Sequence, residues 1–171
     1  MKIDKAIWLY GLSGAGKSTI AKELNNILIE NKIPHVLLDG DDLRSGINKD
    51  LGFSNKDRNE NIRRAAELAD LLMRQNVISI CSFITPFYAL RKMVKEILKE
   101  KVVLVFINTP IEVCTQRDVK GLYAKAKTNV IKEFTGISSQ FEDISNGDIV
   151  ISTTNKSPRQ CAEDILSKIL R

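Results

Sequence analysis

No apolar run in this sequence approaches the roughly 20 residues that a membrane-spanning helix needs, which argues against a helical membrane protein. Cysteine is scarce. Cys81, Cys114 and Cys161 are odd in number, far apart and outside any C-x-x-C spacing, so a disulfide framework and a zinc site are not expected and three small core residues are. His35 is the only histidine, which rules out a histidine-built metal cluster and leaves a surface or packing role. The start, Met1-Lys2-Ile3-Asp4-Lys5, lacks the form of a secretory signal, so the expected location is cytoplasmic. Internal repeats and low-complexity linkers are also missing.

The 171 residues, 43% hydrophobic and 27% charged, suffice for one substantial core but not for two, so a single domain over residues 1–171 is expected. A net charge of +5 suits an anionic partner. Because the lysines are scattered and form no block, small anions fit better than nucleic acid.

One stretch stands out. Gly11-Leu12-Ser13-Gly14-Ala15-Gly16-Lys17-Ser18, followed by Thr19, has the G-x-x-x-x-G-K-S spacing of a phosphate cradle. Its glycines let backbone N–H groups of residues such as Ser13, Gly14, Ala15 and Gly16 wrap a polyphosphate. Lys17 reaches β/γ oxygens, and Ser18 can ligate Mg²⁺. The spacing alone also fits a glycine-rich turn without ligand, and the context decides. Before it lies the short apolar run Ala6–Tyr10, suited to a buried parallel strand, and after it Ile20, Leu24, Ile27 and Leu28 recur at helical spacing. A helix N-terminus aimed at the same anion adds its dipole.

Further along, residues 35–38 read as a second buried strand ending at Asp39-Gly40-Asp41-Asp42, so carboxylates arrive at the strand edge where parallel sheets bind ligands. Residues 43–53 read as a short helix plus loop. Ser54 to Asp57 resembles a capping box with Asp in place of Glu, opening a helix to about Gln75 whose front end carries Arg58 and Asn61 one turn apart. Residues 77–83 form a third strand, broken by Ile84-Thr85-Pro86. Leu90, Val94, Ile97 and Leu98 mark a helix, and residues 102–107 a fourth strand. Thr109-Pro110-Ile111-Glu112 predicts an N-capped helix with proline at its first position, ending near Arg117. Residues 119–142 are polar and basic, the pattern of a mobile lid rather than core. A last strand at 149–151 and a helix capped by Ser157 complete an α/β, three-layer domain around the phosphate loop (P-loop), with a mostly parallel five-stranded sheet.

Asn48-Lys49-Asp50-Leu51 and Asn55-Lys56-Asp57-Arg58 lack the fourth-place aspartate of a guanine-binding motif, and the chain is small for a motor ATPase. A small-molecule kinase remains. Phosphoryl transfer to an alcohol needs a cradle for ATP, a magnesium ion, a carboxylate for the hydroxyl proton and cations on the moving group. Lys17 and Ser18 serve phosphate and metal. Asp39 or Asp41 serves the acceptor, and Arg117 with Lys120 can close over the triphosphate.

Taken together these residues resemble the adenylylsulfate kinases, which move the ATP γ-phosphoryl group to the ribose 3′-hydroxyl of adenosine 5′-phosphosulfate. The likeness covers most of the chain. It rests on residues 11–19, on Leu38-Asp39-Gly40-Asp41 with Arg44, on Asp50-Leu51-Gly52-Phe53-Ser54 through Asn59-Glu60-Asn61-Ile62-Arg63-Arg64, on Arg117 to Tyr123 and on Phe134-Thr135-Gly136-Ile137. The resemblance implies ATP and Mg²⁺ as cofactors, with Ser18 and Asp39 at the metal. It implies that Asp41 serves the acceptor hydroxyl while Arg44, Arg58 and Asn61 grip the acceptor nucleotide. Phe53 and Phe134 would sandwich the base, with Ile84, Thr85 and Lys120 nearby, and a homodimer is implied. Where the family usually has Ser-Pro-Tyr-Arg, this chain has Thr85-Pro86-Phe87-Tyr88, and residues 138–142 lack the usual prolines. The departures keep a second acceptor open, cytidine diphosphoramidate, which related kinases phosphorylate. A nucleic-acid-binding or regulatory ATP-binding domain is the alternative of another class, disfavoured by the retained Lys17, Ser18 and Asp41.

Overall fold

β1 (Ala6–Tyr10) is buried along its whole length and is paired in parallel on both sides, which its unbroken apolar composition requires. The computed structural model describes residues 3–118, 121–128, 134–142 and 148–170. After β1 come α1 (Lys17–Glu30), β2 (His35–Asp39), α2 (Gly40–Ser45), α3 (Asn55–Arg74), β3 (Ile78–Ser82) and α4 (Tyr88–Leu98). They are followed by β4 (Val102–Asn108), α5 (Ile111–Arg117), α6 (Leu122–Lys127), β5 (Ile149–Ser152) and α7 (Pro158–Ile169). The sheet order is β2-β3-β1-β4-β5, and each pairing is parallel.

Strand periodicity sends alternate β1 side chains into two cores. Ile7 and Leu9 join α1 and α7 through Leu24, Leu28, Ile165 and Leu166. Trp8 and Tyr10 join α3 and α4 through Ile62, Ala66, Leu90 and Val94, with Trp8 stacked on Phe83 at 4.9 Å. All three cysteines are free and buried, as small core residues. Register then places the chemistry. Leu9 and Asp39 both pair with Ser82, so the exits of β1, β2 and β3 share one edge. Because the chain leaves β1 for β2 on one side and returns for β4 on the other, the loop after β1 sits at the topological switch point.

Helix starts differ from the sequence expectation in instructive ways. α2 begins at Gly40, earlier than expected, because the Asp39 carboxylate accepts the Asp41 N–H at 3.0 Å and caps it. Ser54 caps α3 by accepting the Asp57 N–H, but the Asp57 carboxylate takes the Ser54 hydroxyl at 2.8 Å and not its backbone N–H. Aspartate is too short to close the box. The Ser157 to Gln160 box on α7 does close in both directions. The expected cap of α5 is corrected: Pro110 holds the cap position, and the buried Thr109 hydroxyl donates to Ala15 O at 2.8 Å and pairs with the Thr153 hydroxyl at 2.7 Å. A buried loop carbonyl needs a donor more than a helix end near solvent does.

The segment read as lid is not wholly outside the core. Tyr123, Ala126 and Phe134 are buried in the α1/α7 cluster, since Leu122, Tyr123 and Ala126 share one face of a short helix. Part of that segment, including Val119 and Lys120, lies outside the described residues.

Thr109→Val keeps the shape of the side chain and strands the Ala15 carbonyl, so urea unfolding should show a loss of about 1–3 kcal/mol. Thr109→Ser should recover most of it; a valine variant as stable as the parent would contradict this role.

Candidate active site

The phosphate loop takes its shape from two glycine positions. Gly11 has φ +148°, and a Cβ there would lie 2.8 Å from the Ile107 carbonyl oxygen, so backbone packs on backbone with no room for a side chain. Gly16, at φ +100°, turns the chain into α1 as its N-cap. Lys17 is only 8% exposed, and its ammonium donates to the Gly11 and Leu12 carbonyls at 3.1 and 2.7 Å. The cation is thereby held over the loop that wraps the anion. Ser18 and Thr19, in the first turn of α1, are exposed.

Across from α1, the end of β2 brings Asp39 to the loop. The Ser18 hydroxyl donates to Asp39 Oδ2 at 2.6 Å and lies 3.3 Å from the Ser82 hydroxyl, while Oδ1 takes the Asp41 N–H. Hydroxyl and carboxylate oxygens in contact are the hard donors that magnesium prefers, in the one-or-two-ligand arrangement usual for metal held mainly by phosphates. Asp41 stands exposed in the first turn of α2, two residues beyond the capping Asp39. A carboxylate there can accept a proton without belonging to the metal pair.

The other cations gather on α2 and α3. Arg44 donates to Gly52 O at 2.6 Å and its guanidinium lies 4.8 Å from the Phe53 ring centre, while Arg58 donates to Phe53 O at 2.8 Å. Burial first, then the neighbouring Arg58 cation, lower the Arg44 pKa from its ordinary value, against the opposing pull of Asp41 and Asp57. Two guanidiniums near enough to influence each other make a site whose charge suits an anion. Asn61, 4% exposed on α3, accepts from the Asn48 amide at 2.9 Å, and Arg64 clamps Asp50 through two bonds of 2.8 Å. Those clasps fasten the loop carrying Phe53 to α3.

The two phenylalanines are placed unequally. Phe53 is 71% exposed, with Arg44 on its ring; Phe134 is 7% exposed and meets Tyr123 edge-on at 4.9 Å. Among the described residues no ring contact joins them. Ile84 and Thr85 follow β3: Ile84 O accepts the Gly11 N–H at 3.2 Å, and the buried Thr85 hydroxyl accepts the Trp8 indole N–H at 3.0 Å. Arg117, at the end of α5, points its guanidinium at Gly14 O, 3.4 Å away, and at Gly16. Lys120, the second expected cation there, falls outside the described residues.

Several supporting residues escaped the sequence reading. Tyr123 donates its hydroxyl to Ser13 O at 2.9 Å, and burial, followed by Cys114 and Asp118, pushes its pKa up, so it stays a donor. Asp118 caps α6 by accepting the Tyr123 and Ala124 N–H groups at 2.9 and 3.0 Å. Ser82 and Asn48 act through residues distant in sequence, which no local spacing signals.

Comparison with known proteins agrees with this geometry. The sequence model described as adenylylsulphate kinase matches residues 4–152. An adenylyl-sulfate kinase of Saccharomyces cerevisiae is 47% identical over 96% of this chain and 83% of its own length, and one of Prochlorococcus marinus is 44% identical over 96% and 82%. The solved Mycobacterium tuberculosis APS kinase in complex with AMPPNP and APS superposes with a TM-score of 0.92 at 37% identity, covering 97% of this chain and 96% of that one. A match of that extent, carried by the strings that build the site, means that the chain belongs to the adenylylsulphate kinase family.

Proposed function

We propose that this chain transfers the γ-phosphoryl group of ATP to the ribose 3′-hydroxyl of adenosine 5′-phosphosulfate, giving the 3′-phosphorylated nucleotide and ADP. The observation that carries the reading is the likeness to a chain solved with both an ATP analogue and adenylylsulfate. The site is consistent with it: one end is shaped for a polyphosphate, the other for a smaller anion beside an exposed ring.

In this reading the loop N–H groups from Ser13 to Thr19 cradle the ATP phosphates, with Lys17 at the β/γ oxygens and Arg117 closing from α5. Ser18 and Asp39 would hold Mg²⁺, which fits their contact at 2.6 Å. Bound there, the ion supplies charge neutralisation on the phosphate oxygens. Asp41 takes the proton of the attacking 3′-hydroxyl, because it is a carboxylate beside the metal pair and not committed to capping α2. Arg44 and Arg58 bind the 5′ phosphosulfate and Asn61 the sugar-phosphate edge. Phe53 offers a face for the base, and Phe134 reaches the opposite face when the stretch around it shifts from its packed position while the 141–142 end stays in place. Lys120 belongs to the sequence stretch 119–142, the proposed mobile lid. A homodimer, the assembly that the family likeness suggests, would show by light scattering.

An ADP-release assay on an acceptor panel tests the reading. Adenylylsulfate should be turned over far faster than ATP is hydrolysed alone, and cytidine diphosphoramidate poorly. Turnover confined to the cytidine nucleotide would keep the kinase and overturn the acceptor.

Lys17→Ala removes a preorganised cation and should lower kcat by about 10²–10³. Asp41→Asn keeps the shape and removes the base, so kcat should fall by roughly 10²–10⁴ with the KM for ATP little changed. Full activity of the Asp41 variant would assign the base elsewhere.

A further inference from the structure

The exit from β3 is where this sequence departs from its family's pattern, and it is fastened from three directions. Ile84 O accepts the Gly11 N–H at 3.2 Å, which ties it to the phosphate loop. Thr85 accepts the Trp8 indole N–H at 3.0 Å and adopts φ +43°, a left-handed conformation that costs a β-branched residue energy and needs outside support. The third attachment comes from Arg91 and Glu142. Arg91 is 1% exposed in the first turns of α4, where the helix dipole disfavours a cation. Its guanidinium donates to Pro86 O at 3.1 Å, to Thr85 O at 3.4 Å and to Glu142 O at 3.5 Å, and it lies over the Tyr10 ring at 5.1 Å. Glu142 answers in kind. Its N–H donates to Pro86 O at 3.0 Å, and its carboxylate accepts the Tyr88 N–H. Phe141, packed 5.7 Å from Phe106 and 6.4 Å from Tyr10, seats that end of the segment.

We propose that Arg91 and Glu142 are positioning residues for the acceptor nucleotide. Together they latch the end of the 134–142 segment onto Thr85–Pro86 and so fix the acceptor-side wall in one conformation. The buried guanidinium spans three carbonyls from two segments, so it holds Thr85–Pro86 and Glu142 in one common arrangement. The latch rests on reading Ile84 and Thr85 as acceptor contacts. The ATP side depends on it less, since the phosphate loop, although joined to the wall at Gly11, has further supports in Thr109 and Tyr123. Acceptor affinity should therefore depend on it more than ATP affinity does.

Steady-state kinetics of Glu142→Ala, Arg91→Met and Arg91→Lys test this, with thermal melting alongside. Wild-type turnover on the acceptor panel comes first, so a wrong acceptor identity shows in the parent and a wrong latch only in the variants, assayed with whichever nucleotide the parent uses. Glu142→Ala should raise the acceptor KM about tenfold while the ATP KM stays within about twofold. Arg91→Met should do the same or more, and Arg91→Lys, which keeps one of the carbonyl contacts, should fall between. The double variant Arg91→Met with Glu142→Ala should be no worse than Arg91→Met alone. Should Arg91→Met fail to fold, Glu142→Ala and Arg91→Lys decide. Parallel rises in both KM values, a fall in kcat alone, or a lowered melting temperature with unchanged kinetics would each overturn the proposal.

Discussion

Backbone approach at Gly11 is the constraint on which the rest of the structure depends. There the phosphate loop lies so close to β4 that a Cβ would sit 2.8 Å from Ile107 O, while the same residue's N–H is bonded to Ile84 O after β3. One residue thus joins the exits of β1, β3 and β4. The loop cannot be moved without moving the start of the acceptor-side wall, and the spacing between the proposed donor and acceptor sites is set by backbone rather than by side chains. Positioning of that kind is the main resource a phosphoryl-transfer enzyme has, because there is little covalent chemistry for the protein to perform.

Charge is divided along the same line. Lys17 and Arg117 face the loop, Arg44 and Arg58 face the far side, and the Ser18–Asp39 pair lies between. Asp39 serves two purposes at once: one oxygen caps α2 and so presents Asp41, and the other meets Ser18. A short strand ending in an acid therefore sets both the proposed metal site and the orientation of the proposed base. Burial and the nearby Arg58 cation both lower the Arg44 pKa while Asp41 and Asp57 oppose them, so an anion bound here would add to the support those carboxylates already give.

Much of this was legible from the residues themselves. The strands, the phosphate loop and the capping residues of α3 and α7 are local signals, and the structure places them where period and spacing predict. The contact of Ser18 with Asp39 could be anticipated because the phosphate loop leading to Ser18 leaves the end of one parallel strand and Asp39 ends another. What local reading missed depends on distant partners. Thr109 looks like a helix cap until Ala15 needs a donor, and Tyr123 looks like part of a polar lid until Ser13 and the α1 core claim it. The unequal burial of Phe53 and Phe134 is equally invisible in sequence, since both are phenylalanines within two residues of a glycine.

The central claim is that this arrangement places a nucleotide's 3′-oxygen in line with the γ-phosphorus of ATP. Phosphorus NMR of the isolated product after incubation with ATP, magnesium and adenylylsulfate tests it most directly. The expected spectrum contains a new phosphomonoester coupled to the ribose 3′ proton, with the 5′ phosphosulfate intact and ADP formed in equal amount. A phosphate on the 2′ position, or ADP accompanied only by inorganic phosphate, would contradict it.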